Sequence, residues 1–258
     1  MSTITLAACA EMIFTDLPIV DRVKEIHARG FQVEIWDWSN KDLQALAATG
    51  ATFSSMTGYL RGDLLEADGI AELLSTARES LEAAKVINPP RLNLHGTGLD
   101  NKGLPIKAKA STTAAERLTA IDTLTRLAEL GAEYDRVFML ENLNLIVDHP
   151  GTPFGLAAEV LDLVREVNHP NMRMNLDLYH AQIGEGNLVE LVREALPFIG
   201  EIQVADVPGR MEPGTGEINY SRIAEELKAL DYVGVVGMEA FASSDSEIAL
   251  ERFRAAFS

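Results

Sequence analysis

Four side chains that could bind a cation follow short apolar runs in the second half of the chain. Glu141 ends VFMLE, Asp177 ends MNLD, Gln203 lies in EIQVAD and Glu239 follows GVVGM. Each run has the composition of a buried strand, where an unpaired carboxylate loses its hydration at a large cost in free energy. If the four strand ends meet, their charges repel each other unless a cation lies between them.

The ligand atoms of this set are all oxygens, from three carboxylates and one carboxamide. Hard cations such as Mg²⁺ and Mn²⁺ prefer oxygen ligands, whereas structural zinc sites are often rich in thiolates. The sequence therefore predicts a divalent metal site, for Mg²⁺ or Mn²⁺, with Glu141, Asp177, Gln203 and Glu239 as its ligands.

Further polar residues lie near the predicted metal ligands or at another strand end. His180 is three positions past the second carboxylate, and His95 ends the run RLNLH. Arg210 and Glu212 follow the third strand of the set, in VADVPGRMEP. We expect all four to contact substrate, with Arg210 forming a bidentate pair with a substrate carboxylate. The alternative for Arg210 is a pair with Glu212 that anchors the loop.

These residues can meet only if their strands belong to one sheet. Helical patterns alternate with strand-like segments along the whole chain, and most of those segments are continuous apolar runs, as expected for a parallel sheet buried on both faces. Several helical patterns stop at a glycine or before a proline, which are common helix-end residues. The eight strand-like segments are ITLAACA, QVEIWD, ATFSSM, RLNLHG, VFMLEN, MRMNLDL, EIQVAD and GVVGMEA.

Eight βα units in 258 residues are typical of an α/β protein with a TIM (β/α)8 barrel. We therefore predict a single domain over residues 1–258. An open doubly wound sheet is the alternative, but no phosphate-binding glycine motif follows the first strand. In a TIM barrel the carboxyl ends of the strands face one site, as the ligand set requires. The polar insertion LNLHGTGLDNKGLPIKAKAST is expected to form part of the pocket wall.

Composition restricts the class of partner. The net charge of −17 repels phosphate backbones, so we expect no nucleic-acid partner. No apolar run approaches the roughly 18 residues that cross a bilayer, and the N-terminus lacks the basic start of a signal peptide. The single cysteine, Cys9, is expected to be a small buried hydrophobe in a reducing compartment. We therefore expect a cytoplasmic protein, compatible with a homo-oligomer, that acts on a small molecule.

Several segments resemble the hydroxypyruvate isomerase group of the xylose isomerase-like TIM barrels, which are relatives of the ketose 3-epimerases. They are LENLN, NLDLYHAQIGEGNL, IQVADVPGRMEPGTGEINY, VGVVGMEAF and the opening CAEMIFTDLPIVDRV, and together they span nearly the whole chain. The resemblance implies that Glu141, Asp177, Gln203 and Glu239 hold the metal. It also implies that Glu141 and Glu239 form the acid/base pair. The epimerases typically have His at the position of Gln203, so this ligand favours the isomerases.

The chain departs from the pattern of that family in three places. Met211 stands where the isomerases often have His, and AFASSDS after Glu239 differs from their usual aromatic and basic or amide residues before a proline. The segment VEIWDWSN also differs, and it places Trp36 and Trp38 near the expected edge of the site, for packing or for stacking on a sugar. These differences leave the substrate open.

The expected activity is a divalent-metal-dependent aldose–ketose isomerisation of a small hydroxy-carbonyl compound of the hydroxypyruvate/tartronate-semialdehyde type. Moving a carbonyl along such a compound passes through an enediolate, whose charge a metal stabilises while two carboxylates take and return the proton. A ketose 3-epimerase with the same site is the alternative. A metal-dependent endonuclease of similar architecture would need more histidines and a basic face. A sugar-binding protein would have no need of an acid/base pair.

Overall fold

The computed structural model describes residues 4–258. Residues 1–3, which the predicted domain includes, lie outside the described residues. The strands are β1 (Thr5–Cys9), β2 (Gln32–Ile35), β3 (Phe53–Thr57), β4 (Arg91–Leu94), β5 (Val137–Glu141), β6 (Met172–Asp177), β7 (Ile199–Val204) and β8 (Val235–Met238). They pair in parallel in chain order, and β8 pairs with β1 to close the barrel. The prediction of a TIM (β/α)8 barrel is confirmed.

Helices connect the strands. They are α1 (Ile19–Ala28), α2 (Leu43–Ala47), α3 (Ala67–Ile87), α4 (Ala114–Glu133), α5 (Ala157–Val167), α6 (Leu178–Gly184), α7 (Leu188–Ala195), α8 (Tyr220–Ala229) and α9 (Ser246–Phe257), with a 3-10 turn at Leu196–Phe198. Helices α3 and α5 end shortly before a proline, as the sequence predicts. Asn88 and Asn168 take left-handed backbone angles, φ 57° and 45°, directly after α3 and α5. Asparagine tolerates this conformation, so each helix ends there without a glycine.

The segment after β6 differs from the prediction. Eight βα units predict one helix after each strand, whereas the chain forms two helices after β6, with α6 directly after the strand and α7 after Gly186. Asp177 caps this helix, because its Oδ1 accepts a hydrogen bond of 2.8 Å from the backbone N of His180. Aspartate is a preferred N-cap residue, since its side-chain oxygen satisfies an N–H group that has no partner within the helix. One of the predicted metal ligands therefore also begins a helix.

The interior of the barrel contains polar side chains. Glu201 on β7 receives a hydrogen bond of 2.6 Å from Nε of Arg91 on β4 and one of 3.4 Å from Oγ of Ser55 on β3. Neither β3 nor β4 is a neighbour of β7 in the barrel, so these side chains cross its interior. Buried apolar side chains of strands and helices form a separate, continuous cluster, which includes Val33 of β2 and Ile26 of α1. Packing of helices on strands thus supplies the apolar core.

The polar insertion after β4 is held against the neighbouring loops. Its backbone N–H groups at Gly98 and Lys109 donate to the carbonyls of Gly62 and Gly151, at 2.9 and 2.7 Å. Residues 99–103 of the insertion line the main cleft. The insertion therefore forms part of the pocket wall, as its position in the sequence predicts.

Cys9 is buried in β1, as predicted. Burial raises the pKa of its thiol well above the usual range, which keeps the thiol protonated and unreactive. Within residues 4–258, no helix is both long and apolar enough to cross a membrane.

Gly237 on β8 leaves room for the buried carboxyl group of Glu34 on β2. A Cβ atom at this glycine would lie 1.6 Å from Oε1 of Glu34. Burial raises the pKa of Glu34 well above its usual range, and the negative charge of Glu201 raises it further. Any larger residue at this position of β8 would have to displace the carboxyl group of Glu34, which is 2% exposed.

We expect Gly237→Ala to lower the free energy of unfolding by about 1–3 kcal/mol, the usual cost of overpacking a core. The measurement is urea unfolding followed by circular dichroism. Gly184→Ala is the matched control, because a Cβ atom there would lie 3.6 Å from its nearest neighbour, Cδ2 of Leu156. Equal stabilities of the two variants would contradict the close contact between Gly237 and Glu34.

Candidate active site

A cleft with a volume of about 780 Å³ opens at the carboxyl ends of the strands. The segments after β2, β3, β4, β6, β7 and β8 all contribute side chains to its lining, together with the end of β5. This is the face at which TIM barrels bind their substrates. The predicted site residues that line the cleft are His95, Glu141, His180, Arg210 and Glu239.

The strand register places the predicted ligands of β5, β6 and β7 side by side. Glu141 is in register with Asn175 across β5 and β6, and Asp177 is in register with Gln203 across β6 and β7. Residues in register on neighbouring strands point to the same face of a sheet. Asp177 and Gln203 are buried and are not among the side chains that line the cleft.

The two oxygens of Glu141 have different surroundings. Oε2 accepts hydrogen bonds from Nδ2 of Asn93 and, at 3.4 Å, from Nδ2 of Asn175, and it lies 3.1 Å from Nε2 of His95. Oε1 lies 3.9 Å from Nε2 of His180. Burial opposes ionisation of this carboxyl, but the hydrogen bond and charge of His95, with the hydrogen bond of Asn93, outweigh burial and lower the pKa. Glu141 is therefore ionised at neutral pH.

At Asp177 the effect of burial on the pKa outweighs the contacts that favour ionisation. Burial raises the pKa of its carboxyl well above the usual range, and the charge of Glu141 adds to the effect. Its Oδ1 caps α6, and its Oδ2 lies 3.9 Å from Nε2 of His180. Two carboxyl groups thus share a space in which both can ionise only if positive charge is added.

Glu141, Asp177 and His180 form a group that could hold a metal ion. Each offers one ligand atom, and these atoms lie within 4.8 Å of one another. His180 is fully buried and its Nε2 has no hydrogen-bond partner among residues 4–258. Burial lowers the pKa of His180 well below its usual range, so the ring is neutral. Two of the four predicted metal ligands are therefore in this group.

Gln203 is connected to this group through Asn175. Nδ2 of Asn175 donates hydrogen bonds to Oε1 of Gln203 at 2.7 Å and to Oε2 of Glu141 at 3.4 Å. On its other side, Gln203 donates from Nε2 to Oε2 of Glu34 at 3.4 Å. The amide is thereby oriented with its nitrogen toward Glu34 and its oxygen toward Asn175. The amide oxygen of Gln203 therefore contacts the same asparagine that donates to Glu141.

Glu239 lies directly after β8 and is held by two donors at the cleft. Its Oε1 accepts a hydrogen bond of 2.5 Å from Nε1 of Trp36, and its Oε2 pairs with Arg210. Burial raises the pKa of Glu239, and the charge of Arg210 offsets part of this increase. Glu239 is separate from the group of Glu141, Asp177 and His180. Glu141 and Glu239 therefore line one cleft, but each has its own hydrogen-bond partners.

His95 supports Glu141 from the side of β4. Its Nε2 faces the Glu141 carboxylate, and its Nδ1 lies 3.0 Å from the hydroxyl oxygen of Tyr59. That hydroxyl donates to the backbone carbonyl of Thr97 at 2.9 Å. The ring is fixed from both sides and still lines the cleft, where substrate contact is predicted.

Glu212 is outside the candidate site. Two expectations for it are corrected, namely contact with substrate and the alternative pair with Arg210. Its oxygens accept hydrogen bonds from N and Oγ of Ser243, both at 2.8 Å, and from Nη1 of Arg252 at 2.6 Å. Arg210 has a left-handed backbone, φ 55°, so the chain turns before Glu212 and the two side chains separate. Arg210 pairs with Glu239 instead. Glu212 ties the loop after β7 to the segment after β8.

Sequence reasoning missed several donors of the site. Asn175 stands two positions before Asp177 on β6, and Asn93 stands two positions before His95, which directly follows β4, so the strand period of two places each pair on the same face. That alternation is a signal from which both could have been found. Trp36 reaches the site edge as expected, but nothing in the sequence predicts its hydrogen bond to Glu239. Trp38 points elsewhere and donates to Oγ of Ser80 at 2.9 Å.

Comparisons with known proteins agree with the resemblance seen in the sequence. A family model described as xylose isomerase-like TIM barrel matches residues 20–256. The 2-oxo-tetronate isomerase of Pectobacterium atrosepticum is 30% identical over 245 residues, which are 90% of this chain and 90% of that protein. The hydroxypyruvate isomerase of Escherichia coli is 35% identical over 121 residues, 47% of this chain and 46% of that protein. The predicted family resemblance is confirmed.

Solved structures share the fold over nearly the whole chain. The AP endonuclease, family 2, from Brucella melitensis superposes with a TM-score of 0.84 at 26% identity, covering 98% of this chain and 99% of that one. D-Psicose 3-epimerase from Clostridium cellulolyticum, solved with D-tagatose, has a TM-score of 0.77 at 18% identity, covering 99% and 100%. The second similarity concerns the fold alone. The enzyme class predicted from the sequence, an isomerase, is the class of the two sequence relatives.

We expect Asp177→Asn to stabilise the metal-free protein at neutral pH by about 0.5–2 kcal/mol. Asparagine keeps the helix cap and removes a buried carboxyl whose pKa is raised in the folded state. Below the pKa of an unfolded aspartate, about 3.9, both states hold the proton. As pH rises from there through the raised folded pKa, the wild type loses stability that the variant retains. The measurement is thermal unfolding with EDTA between about pH 4 and pH 8.

The matched control is Asp206→Asn, for which the opposite sign is expected. The carboxylate of Asp206 accepts hydrogen bonds from four backbone N–H groups within residues 207–218, at 2.8–3.1 Å. A carboxamide has one acceptor oxygen, so this variant leaves buried donors without partners. A change of the same sign in both variants would show that charge repulsion is not what distinguishes Asp177.

Proposed function

Because the chain belongs to the xylose isomerase-like TIM barrel family, we propose that it is a divalent-metal-dependent aldose–ketose isomerase of a small hydroxy-keto acid. The substrate would be of the hydroxypyruvate/tartronate-semialdehyde type. The names of the two sequence relatives, 2-oxo-tetronate isomerase and hydroxypyruvate isomerase, support this class. The observation that carries the proposal is a single cleft lined by two buried glutamates, Glu141 and Glu239, beside Arg210.

The two glutamates would act as base and acid. The pKa of Glu141 is lowered, against the effect of burial, by its contacts with His95 and Asn93, whereas burial raises the pKa of Glu239. Environments that push the pKa values of two carboxyl groups apart are the usual basis of an acid/base pair. Glu141 is therefore assigned as the group that first accepts a proton, and Glu239 as the group that donates one.

The proposed isomerisation consists of two proton transfers at neighbouring carbons of the substrate. Glu141 takes a proton from the hydroxyl-bearing carbon next to the carbonyl, and the electron pair forms the enediolate. Glu239 gives a proton to the neighbouring carbon, and the carbonyl and hydroxyl oxygens exchange roles as one hydroxyl proton moves between them. Return of the proton to the opposite face of the original carbon would give an epimer by the same chemistry.

The residues that would hold a divalent cation are Glu141, Asp177, Gln203 and Glu239. Their oxygens fit a hard ion, and the raised pKa of Asp177 indicates a place where added positive charge would relieve repulsion. Such an ion would supply electrostatic stabilisation of the enediolate oxygens when bound.

Arg210 supports an anionic substrate. Its guanidinium lines the cleft and packs over the ring of Tyr179, with 5.2 Å between Cζ and the ring centroid. One Nη donates to Glu239, while Nε is buried and has no hydrogen-bond partner among residues 4–258. A buried donor without a partner costs free energy that a substrate carboxylate would recover. We therefore assign Arg210 to recognition of the acid group.

A ketose 3-epimerase remains the second candidate, because the same two glutamates and cleft serve that reaction. Gln203 favours the isomerase, since the resembling epimerases typically have His at this position. The net charge of −17 and the presence of five histidines argue against an endonuclease.

The experiment that tests the function is a screen of three- to six-carbon ketoses and keto acids with Mn²⁺ or Mg²⁺, followed by NMR in D₂O. An isomerase moves the carbonyl to the neighbouring carbon, and an epimerase inverts one carbon without moving it. Deuterium should enter the carbon that receives the proton unless the site shields that proton from solvent. Conversion of neutral ketoses alone, with no turnover of keto acids, would contradict the proposed substrate class.

We expect Glu141→Gln and Glu239→Gln each to lower kcat by at least about 10²-fold, because each removes one partner of the proton transfer. The double variant should lose far less than the product of the two single losses, since both residues serve one reaction. The measurement is steady-state kinetics at saturating Mn²⁺.

Glu166→Gln is the control for these substitutions. Glu166 is an exposed residue that pairs with Arg117, so its variant should keep wild-type kcat. A glutamate variant that retains more than about a tenth of wild-type kcat would remove that glutamate from the acid/base pair.

We expect Asp177→Asn and Gln203→Leu to weaken Mn²⁺ binding by about 10-fold or more, since even outer partners of metal ligands are worth about 10–100-fold. Isothermal titration calorimetry of the purified protein with MnCl₂ measures this affinity without turnover. Unchanged affinity in both variants would show that the ligand set is wrong.

A further inference from the structure

Asn144 lies in the loop after β5, and its side-chain amide has one defined orientation. Its Oδ1 is 2.9 Å from the backbone N of Val147 and 2.9 Å from the backbone N of Asp148. Both of those groups donate, so the atom that meets them must be the oxygen of the amide. Asn144 is fully buried, so water does not offer it other partners. Its Nδ2 must therefore point to the opposite side.

On that side Nδ2 of Asn144 meets two acceptors. It donates a hydrogen bond of 2.6 Å to Oδ2 of Asp148, which also accepts one of 3.0 Å from the hydroxyl of Tyr179. Its second hydrogen points at Nδ1 of His180, 2.8 Å away. An amide nitrogen only donates, so Nδ1 must present its lone pair. A hydrogen on Nδ1 would set two donors against each other, which excludes the imidazolium and the Nδ1–H tautomer.

His180 therefore carries its hydrogen on Nε2. This nitrogen is buried without a hydrogen-bond partner among residues 4–258, at 3.9 Å from both Oε1 of Glu141 and Oδ2 of Asp177. A ring nitrogen that carries hydrogen has no lone pair to offer a cation. His180 thus stands beside the two carboxylates as a donor.

We infer that Asn144 is a positioning residue that fixes His180 in the Nε2–H tautomer, so that the ring donates to a substrate oxygen and does not ligate metal. The identity of that oxygen rests on the proposed function, whereas the tautomer does not. A donor aimed at the place where an enediolate oxygen gains charge stabilises the transition state more than the bound substrate. Asp148 contributes by accepting the other hydrogen of the same nitrogen, and Tyr179 donates to that carboxylate.

The tautomer is measured directly by ¹⁵N NMR of histidine-labelled, metal-free protein at neutral pH. Ring nitrogens with and without hydrogen resonate in separate regions, and the spectrum of His180→Gln identifies the signals of His180. We expect a protonated Nε2 and an unprotonated Nδ1. A protonated Nδ1 in the wild type, in either the neutral or the cationic ring, would overturn the inference.

Exchange of the two side chains tests the cause. Asn144→Asp combined with Asp148→Asn keeps the net charge and places a carboxylate, which only accepts, against Nδ1 of His180. The His180 tautomer should then reverse. Asp148→Asn alone is the matched control, because it leaves the amide of Asn144 in place, and it should keep the wild-type tautomer. A wild-type tautomer in the exchanged protein would overturn the role of Asn144. If the exchanged protein does not fold, the wild-type spectrum still shows which ring nitrogen of His180 carries the hydrogen.

Kinetics then test the donor role. The exchanged protein should lose about 10²-fold in kcat, the loss typical of one missing oxyanion donor, with a smaller change in KM. Wild-type kcat together with a reversed tautomer would overturn the assignment of His180 as a donor. Absence of isomerase and epimerase activity in the wild type would instead contradict the proposed function, and the NMR result would stand independently.

Discussion

The cost of burying several carboxyl groups at one end of the barrel determines how the candidate site is built. Each carboxyl is accommodated in a different way. Glu141 is kept ionised by hydrogen bonds and by His95, Asp177 has a raised pKa and caps a helix, and Glu239 lies between Arg210 and an indole N–H. A buried charge survives only with such partners. Asn93, His95 and Arg210 meet this requirement in the cleft.

Carboxamides meet much of that requirement without adding charge. Asn142 accepts from the backbone N of Asp177 at 3.0 Å and donates to its carbonyl at 2.8 Å, which joins the ends of β5 and β6. Asn175 donates to both Glu141 and Gln203. Because an amide both donates and accepts, it can connect an anionic group to a neutral one and still leave both satisfied. A lysine in the same place would instead add a positive charge and pair with the carboxylates.

Much of the fold could be predicted from the sequence, because parallel strands buried on both faces appear as apolar runs that differ from amphipathic helices. The positions of Glu141, Asp177, Gln203 and Glu239 at strand ends followed from the same pattern. Helix α6 was missed because seven residues directly after a strand are too few to show a helical period. The partners of Arg210 and Glu212 could not be predicted, since a left-handed backbone angle and a distant residue of α9 decide them. Sequence neighbours are poor guides to ion pairs wherever the chain turns between them.

The polar groups that cross the barrel interior connect residues far apart in the chain. Arg91 and Glu201 are 110 positions apart, and Glu34 and Gln203 are 169 positions apart. Contacts between a strand and its own following helix, by comparison, close short loops. Closing a long loop costs more chain entropy than closing a short one, and that cost precedes the contacts it makes possible. The interior polar network therefore raises the mean sequence separation of the contacts in the barrel, which predicts slower folding than local docking of helices on strands alone would give.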